Sequence, residues 1–365
     1  MSKKEFDNII AFHPGYYLES LREQMEITQL ELSKRLDTTA KTISKLINGK
    51  ISLSEEMAIN LSKMFGTSVE LWLNLQKTYD KKKLEIDKAI QLDKEISIAK
   101  EINYKYFVDL KSLEPTRSWK EKVTNLCEFL KISSLDVLKK KDFLVNFRNS
   151  NSKINEKNVI NSNIWLQTAL NFGKEIETKK YNESKLLDNL TKIREMTLEE
   201  PKIFYPILKS ILKECGVAFV VLPHLKNSGI NGAVKWINKD KVLLAMNDRN
   251  KFADIFWFSF FHEIKHVLQH KIKYTIISEI SNKNALESID KNLENEADQF
   301  ASEVLIPNDK YNDFIKKKNF SRANILSFSK KINIHPCILI GRLQHDKLVS
   351  YKNFVDLKIK YTVSN

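Results

Sequence analysis

The sequence predicts a mainly α-helical protein with one small β-sheet, an α+β fold. Helix-type spacing of apolar residues, together with helix-capping residues, recurs through most of residues 13–215. Three short apolar runs with β-branched residues then follow Gly216 and are typical of strands. Apolar and acidic stretches with helical spacing resume after the strands, so we expect the sheet to be flanked by helices.

Length and charge restrict the class of protein. The chain has 365 residues, of which 42% are hydrophobic, enough for two or three domains with separate cores. It carries 60 Lys and Arg against 46 Asp and Glu, and the net charge of +14 fits an anionic partner. The same excess is common in Lys-rich proteins from AT-rich genomes, so charge alone supports nucleic-acid binding only modestly.

Cysteine usage and the N-terminus favour the cytoplasm. Cys127, Cys215 and Cys337 are scattered and form no CxxC motif, which argues against a disulfide framework and against a cysteine metal site. The first ten residues have no apolar signal core. The longest apolar run, residues 255–261, is too short to span a bilayer. We therefore expect a cytoplasmic protein without a membrane partner.

Residues 13 to about 76 predict a compact helical unit that contains two short capped helices. Thr28 caps the first helix, with Glu31 placed as in a capping box. Thr39 caps the second helix, whose buried side is predicted to be Ile43, Leu46 and Ile47. Short, polar and basic side chains on its other side suit the base edges and phosphates of a major groove. The predicted DNA-contacting residues are Gln29, Thr39, Ala40, Lys41, Ser44, Lys45 and Asn48.

This unit resembles the Cro/cI-like helix-turn-helix family (XRE type), and most closely its HigA-type antitoxin branch. The resemblance rests on HPGYYLESL, TQLELSKRL, KTISKLINGK and SLSEEMAINLSKMFGTSVELWLNLQ, and it covers residues 13 to about 80. It implies an all-α DNA-binding domain over residues 1–80, a double-stranded DNA operator and a toxin partner. Residues 1–80 hold 10 Lys and Arg against 11 Asp and Glu, so one copy would bind DNA weakly. We therefore expect a homodimer on a palindromic site.

Residues 81–200 are predicted to form a helical linker and middle region. Residues 77–102 carry sparse apolar residues among charges and indicate a solvated linking helix. Residues 148–163 are polar and indicate a loop, whereas residues 201–216 indicate a helix that Gly216 ends. Beyond it, VAFVVLP predicts a strand, and GAVKWIN and KVLLAMN predict a hairpin. Such a hairpin at a sheet edge suits pairing with an extended peptide.

The stretch FWFSFFHEIKH, residues 256–266, brings two histidines and a carboxylate into an apolar helix. His262 and His266 are four residues apart, so they share a helix face and can hold one zinc ion. Glu263 is placed to act on a bound water. Since buried imidazoles need partners, we expect a third ligand elsewhere.

The later helix LENEADQFASEVLIP offers that ligand. Glu294 and Asp298 lie on one helical face, so that Glu294 can bind metal while Asp298 accepts a hydrogen bond from a ligand imidazole. Glu296 is the alternative ligand, although its position is turned away from that of Glu294.

The C-terminal half resembles the ImmA/IrrE metallopeptidase family. The resemblance rests on GINGAVKWINKDKVLLAMNDR, FWFSFFHEIKH, ENEADQFASEVLIP and INIHPCILIGRLQHDKLV, and covers residues from about 200 to 360. A weaker resemblance of NFRNS, IWLQTAL and LTKIREMT points to fused HigA-like/ImmA–IrrE regulators. Lys265 stands where the family often has glycine.

This resemblance implies a zincin-like metallopeptidase domain over residues 201–365 with Zn²⁺ as its cofactor. His262, His266 and Glu294 would be the ligands, and Glu263 the general base that acts on a zinc-activated water. The implied protein substrate is a helix-turn-helix repressor. Two functions therefore follow from the sequence: a DNA-binding regulator that is also a zinc endopeptidase, or a HigA-like antitoxin or repressor whose zinc domain senses or docks without proteolysis.

Overall fold

A computed structural model of the chain describes residues 3–140, 143, 156–248, 252–279 and 283–361. It divides into two compact units, Met1–Phe129 and Leu130–Asn365. The predicted mainly helical fold with small sheets is confirmed. The domain boundaries expected at residues 80 and 200 stay predictions. Among the described residues, none of the helices combines the length and the apolar character needed to cross a membrane.

The first unit begins with a two-stranded antiparallel hairpin and continues as helices. Its elements are β1 (Lys3–Phe6), β2 (Ile9–Phe12), α1 (Pro14–Gln24), α2 (Gln29–Arg35), α3 (Ala40–Ile47), α4 (Glu55–Phe65), α5 (Val69–Glu101), α6 (Tyr104–Asp109) and α7 (Trp119–Leu130). The hairpin is absent from the sequence prediction, which expects only helices here. The overlooked signal is the Asp-Asn pair between Phe6 and Ile9, because these residue types accept the positive φ that Asp7 adopts.

Apolar side chains from α1 to α5 share one core in this unit. Leu18, Leu32, Ile43, Leu61 and Trp72 are all at most 1% exposed. The start of α1 and the end of α3 come so close that a Cβ on Gly15 would lie 2.0 Å from the Leu46 carbonyl oxygen. Glycine at position 15 therefore lets α1 support α3 directly.

Helix α5 corrects one expectation from the sequence. Residues 77–101 do belong to a helix, but this helix is not simply solvated. It packs against the β1–β2 hairpin, Lys4 pairs with Asp87, and Ile86 and Ile98 are buried. Only some of its sparse apolar residues are buried, since Leu84 stays 55% exposed, and the sequence prediction lacks the hairpin that packs on this helix.

The second unit contains a three-stranded sheet among helices. Its elements are α8 (Glu156–Glu175), α9 (Glu183–Asp188), α10 (Leu190–Glu195), α11 (Pro201–Glu214), β3 (Val217–Leu222), β4 (Gly232–Asn238), β5 (Lys241–Asn247), α12 (Ala253–Glu279), α13 (Lys283–Leu305), α14 (Asn308–Lys316), α15 (Arg322–Lys331) and α16 (Pro336–His345), with short 3₁₀ helices at Leu135–Lys139, Met196–Leu198 and Val355–Leu357.

The sheet has the order β3-β5-β4, with β3 parallel and β4 antiparallel to β5. The predicted hairpin is present, and Asn238 pairs with Lys241 across its two-residue turn. In the described sheet, β4 is an edge strand. Helices α8 and α12 both pack on this sheet, and the strands thus fix the position of α12.

Helix α8 overturns part of the predicted loop at residues 148–163. Residues 156–163 are helical and residues 159–163 are buried, while residues 148–155 lie outside the described part of the chain. The polar side chains that indicate a loop instead bond buried backbone. Asn161 donates to the carbonyl of Lys226 (3.1 Å), and Asn163 donates to that of Leu138 (2.8 Å). Polar composition therefore misleads here, because these amides satisfy backbone acceptors inside the unit.

Candidate metal centre and nucleic-acid interface

The aromatic run that precedes the histidines buries one side of helix α12. Trp257, Phe260 and Phe261 are fully buried, and Trp257 packs against Phe204 with ring centroids 4.9 Å apart. The next turn of the helix is therefore also largely buried. It contains His262 and Glu263, which are only 8% and 7% exposed.

The structure brings His262, His266 and Glu294 together. The Nε2 atoms of the two histidines are 3.1 Å apart, and each lies 4.0 Å from a carboxylate oxygen of Glu294. One donor atom from each residue fits within 4.8 Å of the others. The four-residue spacing on α12 supplies two of these donors, and the packing of α13 against α12 supplies the third.

Asp298 lies behind the first histidine. Its Oδ1 atom is 2.7 Å from Nδ1 of His262. A carboxylate at that distance favours the proton on Nδ1, which leaves the lone pair of Nε2 directed towards His266 and Glu294. Asp298 therefore lies within hydrogen-bond distance of the His262 imidazole, and its supporting role stays a prediction.

The alternative ligand Glu296 has other contacts. Its Oε2 atom accepts a hydrogen bond from Nε2 of Gln269 (3.0 Å) and lies 3.6 Å from Nζ of Lys265. It is not part of the three-residue cluster of possible metal-binding atoms. The geometry therefore favours Glu294 over Glu296, and Glu294 is also the ligand that the sequence favours.

Glu263 lies against the backbone of strand β4. A Cβ on Gly232 would be 2.5 Å from Oε1 of Glu263 and 2.7 Å from its Cγ and Cδ. Only a residue without a side chain leaves room for the carboxylate here. Sequence reasoning does not single out Gly232, although a glycine that opens a strand is a known sign of close backbone approach.

The donor set fits a zinc ion. Two imidazole nitrogens and one carboxylate are a common set of three protein ligands, and Zn–N bonds of about 2.0–2.1 Å place tetrahedral ligand atoms roughly 3.3 Å apart. The distances of 3.1 and 4.0 Å bracket that value. Small adjustments of the Glu294 side chain would complete the set.

Helices α2 and α3 form the candidate nucleic-acid interface. Thr28 Oγ1 accepts from the backbone N–H of Glu31, and Thr39 Oγ1 accepts from that of Thr42, both at 3.1 Å. The capping box at Thr28 is only half present, since the Glu31 carboxylate bonds Arg35. The caps fix where each helix begins and therefore which of its faces is buried.

The predicted DNA-contacting residues all remain accessible. Ile43, Leu46 and Ile47 form the buried side of α3, as expected. The predicted residues on α2, on α3 and at the two ends of α3 are exposed or half-exposed: Gln29, Thr39, Ala40, Lys41, Ser44, Lys45 and Asn48. The Asn48 amide donates to the carbonyl of Ser44 at 2.7 Å, which ties it to the end of its own helix.

Comparisons with known proteins match both regions of the chain. Residues 18–72 match the helix-turn-helix family, and residues 243–325 match the IrrE N-terminal-like domain, peptidase M78. An uncharacterized HTH-type transcriptional regulator of Escherichia coli K12, YddM, is 32% identical over 72 residues, which is 20% of this chain and 77% of that protein. Virulence-associated protein A' of Dichelobacter nodosus is 44% identical over 69 residues, 19% of this chain and 60% of that protein.

A solved structure also matches part of the chain. It is an addiction module antidote protein of the HigA family from Coxiella burnetii, 34% identical, and the match covers 23% of this chain and 92% of that one with a TM-score of 0.21. On the family matches and the similarity to YddM, the chain belongs to the helix-turn-helix family of DNA-binding regulators, and it joins that domain to an IrrE N-terminal-like domain of the peptidase M78 type.

Proposed function

We propose that this protein is a transcriptional regulator that binds operator DNA and also acts as a zinc-dependent endopeptidase. One observation carries the peptidase half: two imidazoles and the Glu294 carboxylate converge, with a further buried carboxylate, Glu263, one residue after the first imidazole. His262, His266 and Glu294 would hold the ion, and Glu263 would remain available for proton transfer. We propose the cytoplasm as the location.

Glu263 would act as the general base and then as the general acid. A bound zinc ion would supply Lewis-acid polarisation and lower the pKa of water to about 7. Glu263 would take the proton of the attacking water on a carboxylate oxygen and later pass it to the leaving amine. Its burial and its contact with the Gly232 backbone hold that carboxylate in place.

Strand β4 offers a surface for the substrate. It is bonded to β5 on one side in the described sheet, and an extended peptide could pair with its other edge. Because Gly232 at the start of β4 meets Glu263, a peptide on this edge would run close to the proposed base. The substrate class that we propose is a helix-turn-helix repressor or a similar antitoxin-like protein.

The DNA half of the proposal rests on the helix-turn-helix match and on the free face of α3. Lys41, Ser44 and Lys45 would contact double-stranded operator DNA, and a homodimer would supply two such helices for a palindromic site. The similarity to antitoxins also suggests a toxin partner.

Metal analysis tests the site first. Purified protein should contain about one zinc ion per chain, and Glu294→Ala should lose most of it. Glu303→Ala is the matched control, since Glu303 lies on the same helix and accepts from the backbone of Asn308. A folded wild-type protein that takes up no added zinc would refute the peptidase proposal.

Glu263→Gln separates the two candidate functions. It should abolish cleavage of a repressor substrate, followed by mass spectrometry of the products, while zinc content is unchanged. The second candidate is a HigA-like antitoxin or repressor whose zinc domain senses or docks, favoured by the extent of the helix-turn-helix match. This second function predicts that the Glu263→Gln variant still regulates transcription from its operator fully. If a folded, zinc-loaded Glu263→Gln variant loses regulation, the result favours the peptidase.

A further inference from the structure

Three side chains bridge α12 and α13 beside the proposed metal site. Gln269 is 2% exposed, and its Nε2 atom donates to the Leu293 carbonyl and to Oε2 of Glu296, both at 3.0 Å. Lys265 approaches the same carboxylate, with Nζ 3.6 Å from Oε2. We call Gln269, Lys265 and Glu296 the interhelix bridge.

The bridge contacts α13 on both sides of Glu294. Leu293 directly precedes Glu294 in the chain, and Glu296 follows two residues later. Gln269 lies three residues after His266, about one helical turn further along α12. A single buried amide therefore ties the α13 backbone next to Glu294 to the helix that carries both histidines.

We propose that the interhelix bridge positions Glu294 as the third metal ligand, with Gln269 as its main positioning residue. This inference rests on the proposed zinc site. A shift of α13 by one residue would move its side chains about 1.5 Å along the axis and turn them by roughly 100°. Glu294 would then leave the imidazoles. The bond to the Leu293 carbonyl opposes this shift, since a displaced helix would leave a buried donor unsatisfied.

Lys265 has a secondary part in the bridge. Its ammonium group also lies 5.7 Å from the centre of the Phe300 ring on α13, so it contacts that helix at two points. Glu296 is 51% exposed at its side chain, and solvent weakens the ion pair. The buried amide of Gln269 is therefore expected to contribute more than Lys265 to the position of α13.

Zinc affinity measured by competition with a chromogenic chelator tests the proposal. Gln269→Leu should raise the zinc Kd by about 10- to 100-fold, as is typical when a supporting contact of a metal ligand is lost. Lys265→Met should have a smaller effect. Glu296→Gln keeps an oxygen that can accept from Gln269 and should bind zinc nearly as the wild type does, whereas Glu296→Leu should not.

Two controls distinguish positioning from general damage. Gln344→Leu removes another buried amide that donates to backbone carbonyls, those of Ser350 and Asn353 on a different part of the unit. It should lower thermal stability without changing zinc affinity. In a Glu294→Ala background, Gln269→Leu should change the zinc Kd by less than about threefold, because the ligand that it positions is already gone.

The outcomes are distinguishable. If the wild type binds zinc and Gln269→Leu leaves its affinity unchanged, the positioning role is wrong and the zinc site stands. Equal losses of affinity in the wild-type and Glu294→Ala backgrounds would also overturn it, since Gln269 would then act independently of Glu294. A wild type that takes up no zinc would refute the site and the positioning role together. Should Gln269→Leu fail to fold, the comparison of Glu296→Gln with Glu296→Leu decides.

Discussion

Gly232→Ala tests whether strand β4 fixes the position of Glu263. The added Cβ would lie 2.5 Å from Oε1 and 2.7 Å from Cγ and Cδ of Glu263. Non-bonded carbon atoms pack at about 3.5–4.0 Å, so the side chain must move by about 1 Å. Glu263 is only 7% exposed, and closely packed surroundings leave it little room to do so.

A double-mutant cycle measures this clash without any substrate. Overpacking of this kind costs about 1–3 kcal/mol of the free energy of unfolding. Glu263→Ala removes Cγ, Cδ and Oε1, the atoms that the new methyl group meets. Gly232→Ala should therefore cost no more than about 0.5 kcal/mol in the Glu263→Ala background. Urea titrations of the wild type, both single variants and the double variant give the coupling.

The same substitution should impair catalysis and spare the metal. A displacement of about 1 Å at a reacting group lowers a rate by about 100-fold, which equals about 2.7 kcal/mol of activation free energy. Zinc content should not change, since Glu263 is outside the proposed ligand set. Equal stability costs of Gly232→Ala in both backgrounds, or unchanged cleavage, would refute the proposed contact between β4 and the base.

Three further predictions concern the rest of the fold. Burial lowers the pKa of His13 below its ordinary value. The neutral imidazole therefore contributes its full stabilisation above about pH 6.5, the ordinary histidine pKa. This contribution is lost as the pH falls from there through the pKa of the folded state. Urea titrations at pH 7.5 and 5.5 should show a smaller pH effect in His13→Gln, and equal effects would contradict this. Lys358→Met leaves Asp254 uncompensated in a buried pair 2.8 Å apart and should cost about 3–5 kcal/mol. The double variant Lys358→Met with Asp254→Leu should regain most of the lost free energy of unfolding, measured by urea titration. No regain would count against the ion pair. Gly15→Ala places Cβ 2.0 Å from the Leu46 carbonyl oxygen and should lower the thermal midpoint and operator affinity together, whereas an unchanged midpoint would contradict the close approach.

The helix-turn-helix region is predictable because its determinants are local. Thr28 and Thr39 cap helices that begin at the next residue, and each cap bonds an N–H three residues ahead. The spacing of Ile43, Leu46 and Ile47 defines the buried face of α3, and hence the exposed one. The N-terminal hairpin escapes the same reasoning, since its strands of four residues are too short for a clear alternating pattern.

The candidate metal site is only half local. The spacing of His262 and His266 predicts two donors on one helix face, and the structure has them 3.1 Å apart. The choice between Glu294 and Glu296 depends on how α13 packs against α12, which depends in turn on Gln269. Gly232 likewise meets Glu263 only because α12 packs against the sheet that contains β4. No periodicity within either segment contains these relations, because they join residues 24 to 31 positions apart in the chain.

The histidine pair itself indicates what kind of cation the site would take. With the Nδ1 proton of His262 facing Asp298, its Nε2 lone pair faces Nε2 of His266 at 3.1 Å. That distance fits either a hydrogen bond between the two rings or a metal ion bound to both nitrogens. A proton serves both nitrogens but leaves the Glu294 carboxylate 4.0 Å from each ring. A divalent cation can bind all three groups, so the convergence of a carboxylate on one buried and one half-buried imidazole suits a metal ion.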